Sequence, residues 1–195
     1  MIKTGLLFGS FNPIHIGHIA IAGYMKEFES MDEIWFIVSP RNPFKCPGQL
    51  VSPMARLEMI RLAIEEYPAF KVSDIELNMP RPSYTINTME KLAEVHPGRD
   101  FHLIIGTDNI ESIGRWKGGK TLLSSYKFLI YPRPGKDISR LHQFSNARLA
   151  DAPLIEISSS FIRESLKQGK DMRAFVPAGT YSYIEKNRFY AADPG

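Results

Sequence analysis

IKTGLLFGSFNPIHIGH, residues 2–18, decides how the rest of the chain is read. Ile2 to Phe8 is an apolar run of strand length, Gly9 and Ser10 turn out of it, Pro13 redirects the backbone, and a helix begins near Ile16. The spacing of Ile16, Ile19, Ala20 and Met25 predicts one apolar helix face. A strand that passes through a short turn into a helix brings unpaired N–H groups, and the positive end of the helix dipole, to the carboxyl edge of a sheet, where an anion is stabilised. His15 and His18 stand three apart on the first helical turn and project to the same side, and imidazole N–H groups donate to phosphate oxygens. Two plainer readings compete. Zinc needs three or four ligands, and the other histidines, His96, His102 and His142, have no motif spacing to the single cysteine, Cys46. A polar residue at a helix end is the commoner fate of a lone histidine, but two of them beside a glycine turn fit it poorly.

Apolar or β-branched runs at Ile34–Val38, Phe70–Ile75, Phe101–Ile105, Lys127–Tyr131 and Leu154–Ile157 predict five more strands. Helical patterns lie between most of them. SPMARLEMIRLAIEEY has Ser52 as its cap and Pro53 at the first helical position, and SYTINTMEKLAEVHPG is stopped by Pro-Gly. Ser159–Lys167 and Pro177–Asn187 close the chain with two more helices. Strands alternating with helices predict an α/β, Rossmann-like, mostly parallel sheet with helices on both faces and a ligand crevice at the carboxyl ends of the strands. From YPRPGKD to Asp151 the chain reads as a surface loop and connection, so residues 1–195 are expected to form one domain, with the helices of about 159–190 packing on the sheet.

The 195 residues, 44% hydrophobic and 23% charged, suffice to bury a core without disulfides or metal. No apolar run approaches the roughly 18 residues that span a bilayer, and no secretory leader pattern opens the sequence, so a soluble cytoplasmic protein is expected. A single cysteine agrees with a reducing compartment. The net charge of +3 comes from 24 basic and 21 acidic residues that are interspersed, which gives no signature of nucleic-acid binding. A homo-oligomer is compatible with such a chain.

GRWKGGKT, residues 114–121, fits the P-loop pattern literally. A working P-loop follows a buried strand directly and opens a helix, whereas GTDNIESI separates this one from the strand ending near Ile105. No later strand ends in an aspartate that would hold magnesium. The segment is expected to be a glycine-rich surface turn with a helix behind it.

LIEISSSFIRESL, residues 154–166, repeats the logic of the opening stretch: a strand, three serines, then a helix carrying Arg163. Serine hydroxyls and helix-start N–H groups receive an anion, and an arginine one turn in forks two phosphate oxygens. Alone, this is also what an ordinary cap beside a surface charge looks like. Two anion elements at strand ends suggest a long polyphosphate.

GSFNPIHIGH together with ISSSFIR resembles the nucleotidyltransferase superfamily with a His-x-Gly-His motif, and within it the nicotinate-nucleotide adenylyltransferases of bacteria. The resemblance extends to PSYT at 82–85, IIGTDN at 104–109, Trp116, and PRPG at 132–135, in the family's order. The chain departs from it at Ser10 and Asn12, where Thr and Asp are common, and at Lys117, where an aromatic commonly follows the tryptophan. The resemblance implies the nucleotidyltransferase fold and transfer of the adenylyl group of ATP to nicotinate mononucleotide, giving nicotinate adenine dinucleotide and pyrophosphate, with magnesium as the cofactor and no protein side chain as its ligand. It implies that His15 and His18 contact the ATP phosphates. Gly9, Ser10 and Phe11 would add contacts, and Ser158, Ser160 and Arg163 would hold the β and γ phosphates. Gly106 and Asp108 occupy its ribose-contacting position. Tyr84, Thr85 and Trp116 would serve the nicotinate group, the last by stacking, and Lys45 the mononucleotide phosphate. Phosphopantetheine adenylyltransferase is the nearest rival, followed by a non-catalytic nucleotide-binding regulator and a P-loop phosphotransferase.

Overall fold

In the computed structural model, which describes residues 1–40, 50–135 and 144–192, six strands form one sheet. They are β1 (Ile2–Gly9), β2 (Glu33–Val38), β3 (Phe70–Ser73), β4 (Arg99–Gly106), β5 (Lys127–Tyr131) and β6 (Ala147–Leu149). Their spatial order is β3-β2-β1-β4-β5-β6, with every pair parallel. The chain builds outward from β1 to one edge, returns to the centre, and builds outward again from β4. The order therefore reverses between β1 and β4, and a crevice opens at their carboxyl ends.

Helices α1 (Ile16–Phe28), α2 (Pro53–Ile64), α6 (Ser159–Lys167) and α7 (Ala178–Lys186) bury their apolar residues in one core with Leu7, Phe36 and Ile104. Helices α3 (Thr85–Val95), α4 (Thr107–Ser112) and α5 (Gly119–Ser125) cover the other face, over Leu6, Ile37, Leu103 and Ile105. Alternate residues of β1 thus enter opposite cores, and a strand covered on both sides reads as the continuous apolar run seen in the sequence. Ser52 caps α2 as expected, its Oγ accepting from Ala55 N–H at 3.2 Å.

Four expectations need correction. Leu154–Ile157 is extended but pairs with no strand; Ile155 and Ile157 pack against the first core while Leu154 is exposed. The sixth strand is instead Ala147–Leu149, beside β5 at the sheet edge, within the stretch read as a connection. The third strand ends at Ser73, and Ile75–Asn78 is a 3-10 turn. On α1 the buried face is Gly17, Ile21, Ala22 and Met25, whereas Ile16 and Ala20 are exposed. The helix is rotated because Gly17 is its point of closest approach: a Cβ there would lie 3.0 Å from His15 Nδ1 and 3.1 Å from Ile155 Cγ2. Among the described residues no helix is long and apolar enough to cross a membrane.

Candidate active site

The turn after β1 is held in a conformation that few sequences accept. Phe11 has φ +44, in the left-handed region, yet its side chain is fully buried, edge-on to Phe36 and to His18. A left-handed phenylalanine is strained and persists only where surrounding contacts fix it. Its ring folds back over Gly9, where a Cβ would lie 2.9 Å from it, so the glycine makes room for the aromatic plug.

Those contacts come from four directions. Arg56, on α2, is fully buried and donates to the carbonyls of Ser10 (2.7 Å), Ser39 (2.8 Å), Pro40 (3.0 Å) and Val51 (3.2 Å). Asn12 Oδ1 accepts from Tyr190 Oη at 2.7 Å and Val51 N–H at 3.2 Å. Ser159 donates to the Pro13 carbonyl at 2.9 Å, and Arg163 to the Asn12 carbonyl at 2.9 Å. Ile16 N–H reaches the Phe175 carbonyl. Burial pushes the Tyr190 phenol up, out of the titrating range, so it stays a donor.

The two histidines lie on this turn. Their rings stack with centroids 3.7 Å apart, and the His15 N–H donates to His18 Nδ1 at 3.2 Å. A neutral imidazole that accepts at Nδ1 carries its proton on Nε2, so His18 presents an Nε2–H donor on the side away from its own backbone. His15 is 5% exposed, and its Nδ1 finds no hydrogen-bond partner among the described residues. Burial, helped by the charge of Arg133, holds its pKa down at about 4, so it is neutral at pH 7.

The serine segment docks on the histidine turn. Ser158 caps α6, its Oγ accepting from Phe161 N–H at 3.1 Å, and Ser160 Oγ accepts from Arg163 Nη2 at 3.3 Å. With Ser159 and Arg163 bound to residues 12–13, the serine run and the histidine turn face one crevice from two ends of the chain.

From the other side of the switch point, β4 ends at Gly106, whose missing Cβ makes room for Asp108 Oδ1; the Asp108 side chain is exposed. Arg133, after β5, donates its N–H to Thr107 Oγ1 at 3.0 Å and Nη2 to Tyr131 Oη at 3.2 Å, while its buried Nε is unpartnered among the described residues. On the α3 face, Tyr84 is the residue before the first turn, Thr85 opens the helix, and Trp116 packs on the same apolar cluster with Nε1 donating to Ser112 Oγ at 3.3 Å. Beneath them the buried carboxylate of Glu76 accepts from Thr88 Oγ1 at 2.8 Å; burial pushes its pKa up. Lys45, like Cys46 and His142, lies outside the described residues.

The P-loop lookalike does not open directly from a strand as a P-loop must. A helix, α4, and a 3-10 turn, Ile113–Arg115, separate it from β4. Gly118 sits at φ +69 against Ile86, a Cβ on Gly119 would collide with the Ile113 carbonyl, and Lys120 is exposed. These glycines serve close packing.

Sequence reasoning missed Arg56, Arg133, Glu76, Ser159 and Tyr190. Arg133 had a visible signal in the PRPG stretch and Ser159 lay within the serine run; no motif singled out Arg56, Glu76 or Tyr190. Among the described residues, no group of three or more His, Cys, Asp and Glu side chains is arranged to hold a metal ion.

A parallel sheet with a histidine turn and a serine–arginine helix at its switch point defines a class, and the family model described as cytidylyltransferase-like matches residues 6–165: the chain belongs to that family. Within it, the relatives are nicotinate-nucleotide adenylyltransferases, an enzyme family to which this chain belongs by identity. The protein of Bacteroides fragilis named "Probable nicotinate-nucleotide adenylyltransferase" is 50% identical over 182 residues, covering 93% of this chain and 90% of that one. A Flavobacterium johnsoniae protein of the same name is 41% identical over 191 residues, covering 97% and 99%. The solved structure of Plasmodium falciparum nicotinic acid mononucleotide adenylyltransferase complexed with NaAD superimposes with a TM-score of 0.83 at 23% identity, covering 97% of this chain and 98% of that one. That likeness carries the fold.

Proposed function

We propose that this chain transfers the adenylyl group of ATP to the phosphate of nicotinate mononucleotide, forming nicotinate adenine dinucleotide and pyrophosphate, a step of NAD biosynthesis. The observation that carries the reading is the docking of Ser159 and Arg163 onto residues 12–13, which makes one polyanion site out of two. The identity to the Bacteroides fragilis relative supports the acceptor.

The acceptor phosphate attacks the α-phosphorus of ATP while the bond to the β-phosphate oxygen breaks. A phosphate monoester has a second pKa near 6, so the nucleophile is already mostly a dianion and needs no general base. The protein's task is alignment and neutralisation of the charge that builds on the α-phosphoryl oxygens and the leaving pyrophosphate. His18 donates from Nε2 and neutral His15 from its ring, with Gly9, Ser10 and Phe11 adding backbone contacts. Ser158, Ser160 and Arg163 hold the β and γ phosphates, and Arg133 joins them. Gly106 and Asp108 bind a ribose. Thr85 and the N–H groups opening α3 receive the nicotinate carboxylate, Tyr84 and Trp116 flank the ring, and Lys45 meets the mononucleotide phosphate. No group of protein side chains among the described residues is arranged to hold a metal, so magnesium would enter with ATP and would supply neutralising charge for the polyphosphate. The whole chain acts as one cytoplasmic domain.

The test is to incubate the purified protein with magnesium, ATP and, separately, nicotinate mononucleotide, nicotinamide mononucleotide or phosphopantetheine, and to identify the products by mass. Pyrophosphate with nicotinate adenine dinucleotide is the expected result. Appearance of ADP, or turnover of phosphopantetheine alone, overturns the reading.

A further inference from the structure

Lys117 is exposed, yet its place is fixed from both sides. The turn that carries it is closed by Trp116 N–H donating to the Ile113 carbonyl at 3.0 Å and Gly119 N–H donating to the Trp116 carbonyl at 2.9 Å. Gly118, at φ +69, presses this turn onto Ile86, the second residue of α3: a Cβ there would be 2.9 Å from the isoleucine methyl. The lysine is thereby delivered to the start of α3, where its ammonium lies 4.3 Å above the centre of the Tyr84 ring. No ion pair among the described residues involves it.

We infer that Lys117 is a specificity-determining residue, which selects a pyridine carboxylate over the corresponding carboxamide by setting a full positive charge at the mouth of the acceptor pocket. The inference rests on the proposed reading, in which the ring lies among Tyr84, Thr85 and Trp116. Acid and amide have nearly the same shape, so pocket volume separates them poorly. Neutral donors such as Thr85 and the helix N–H groups serve either, because both ligands present an accepting oxygen. They differ by one unit of charge, and only a fixed charge reads that difference strongly. The helix end supplies about half a charge; Lys117 supplies a whole one. Glu76, buried and bonded to Thr88 of the same helix, adds no positive charge from the protein side, so the cation on the open side carries the discrimination. The aromatic face holds the ammonium in place and partly strips its water, which makes the pair with a ligand stronger than a solvated surface pair.

The experiment compares the wild type with Lys117→Met, which keeps the stem and removes the charge, and Lys117→Arg, which keeps the charge. With ATP and magnesium fixed, kcat/KM is measured for nicotinate mononucleotide and nicotinamide mononucleotide. In Lys117→Met the acid-to-amide ratio falls about tenfold, equivalent to about 1.4 kcal/mol, with the loss in KM for the acid. Lys117→Arg restores most of the ratio. Raising salt lowers acid turnover in the wild type more steeply than in Lys117→Met. A ratio in Lys117→Met within twofold of wild type, or an equal loss for both substrates, overturns the inference and leaves the proposed reaction standing. A wild type that adenylylates neither mononucleotide overturns the proposed reaction and this inference with it.

Discussion

His15 is the residue whose environment makes the sharpest quantitative demand. Burial and the neighbouring Arg133 charge hold its pKa at about 4, against 6.5 for an ordinary histidine. In the unfolded chain the imidazole takes a proton as the pH falls through 6.5; in the folded protein it resists until about 4. The unfolded state therefore binds more protons across that window, and stability drops as the pH falls through it. At about 1.4 kcal/mol per pKa unit, the loss amounts to about 3 kcal/mol, complete below about pH 4 and absent above about pH 7. Other groups titrate in the same range, so the measurement is a difference. Urea unfolding of the wild type and of His15→Asn, which keeps a good helix cap and cannot titrate there, is run at pH steps from 7.5 to 3.5. The wild-type advantage shrinks by about 3 kcal/mol between pH 6.5 and 4. Carbon-13 labelling of the imidazole reports the same pKa directly, and saturating pyrophosphate moves it up because the anion favours the charged ring. A difference that stays flat over the window refutes the argument that this ring is held dry and neutral.

Four further outcomes follow from the same geometry. His18→Ala loses about 10²–10³ in kcat with an unchanged urea midpoint, because one donor to the developing charge is removed from a partly exposed position. Gly9→Ala drives a methyl into the Phe11 ring and costs about 1–3 kcal/mol of stability by thermal or urea unfolding. Arg56→Met strands four carbonyls, that of Pro40 buried and the other three partly so, and destabilises by about 3–5 kcal/mol, whereas an exposed arginine would barely register. Lys120→Ala leaves both turnover and the KM for ATP within twofold of wild type, which separates this site from a P-loop enzyme in a steady-state assay.

Much of the architecture was legible because central parallel strands carry strong signals. Ile34–Val38 and Lys127–Tyr131 are apolar on both faces, and the cap at Ser52 followed by Pro53 marks its helix plainly. Ala147–Leu149 was illegible: three residues at a sheet edge, with Arg148 in the middle, carry no period. Leu154–Ile157 has the composition of a strand, but its isoleucines are satisfied by packing alone, without a ladder. The phase of α1 went wrong by about one residue because hydrophobicity favoured Ile16, while close approach to His15 and Ile155 selected Gly17. In the site, the motifs marked the two segments that the fold brings together, residues 9–18 and 158–163, yet nothing local said that Arg56 would be buried. A buried guanidinium depends on carbonyls gathered from three separate segments, and such convergence exists only in the folded chain.

The bonds that set the histidine turn join residues very far apart along the chain: Pro13 to Ser159 across 146 positions, Asn12 to Arg163 across 151, and Asn12 to Tyr190 across 178. Contacts of such separation form late, since the loops they close must be ordered first. During synthesis the motif and its partners Val51 and Arg56 leave the ribosome well before Ser159, Arg163 and Tyr190, which complete the clamp. Throughout that interval the nascent chain carries the histidines on a turn that is only half clamped, and competence for nucleotide arrives with residues 159–190.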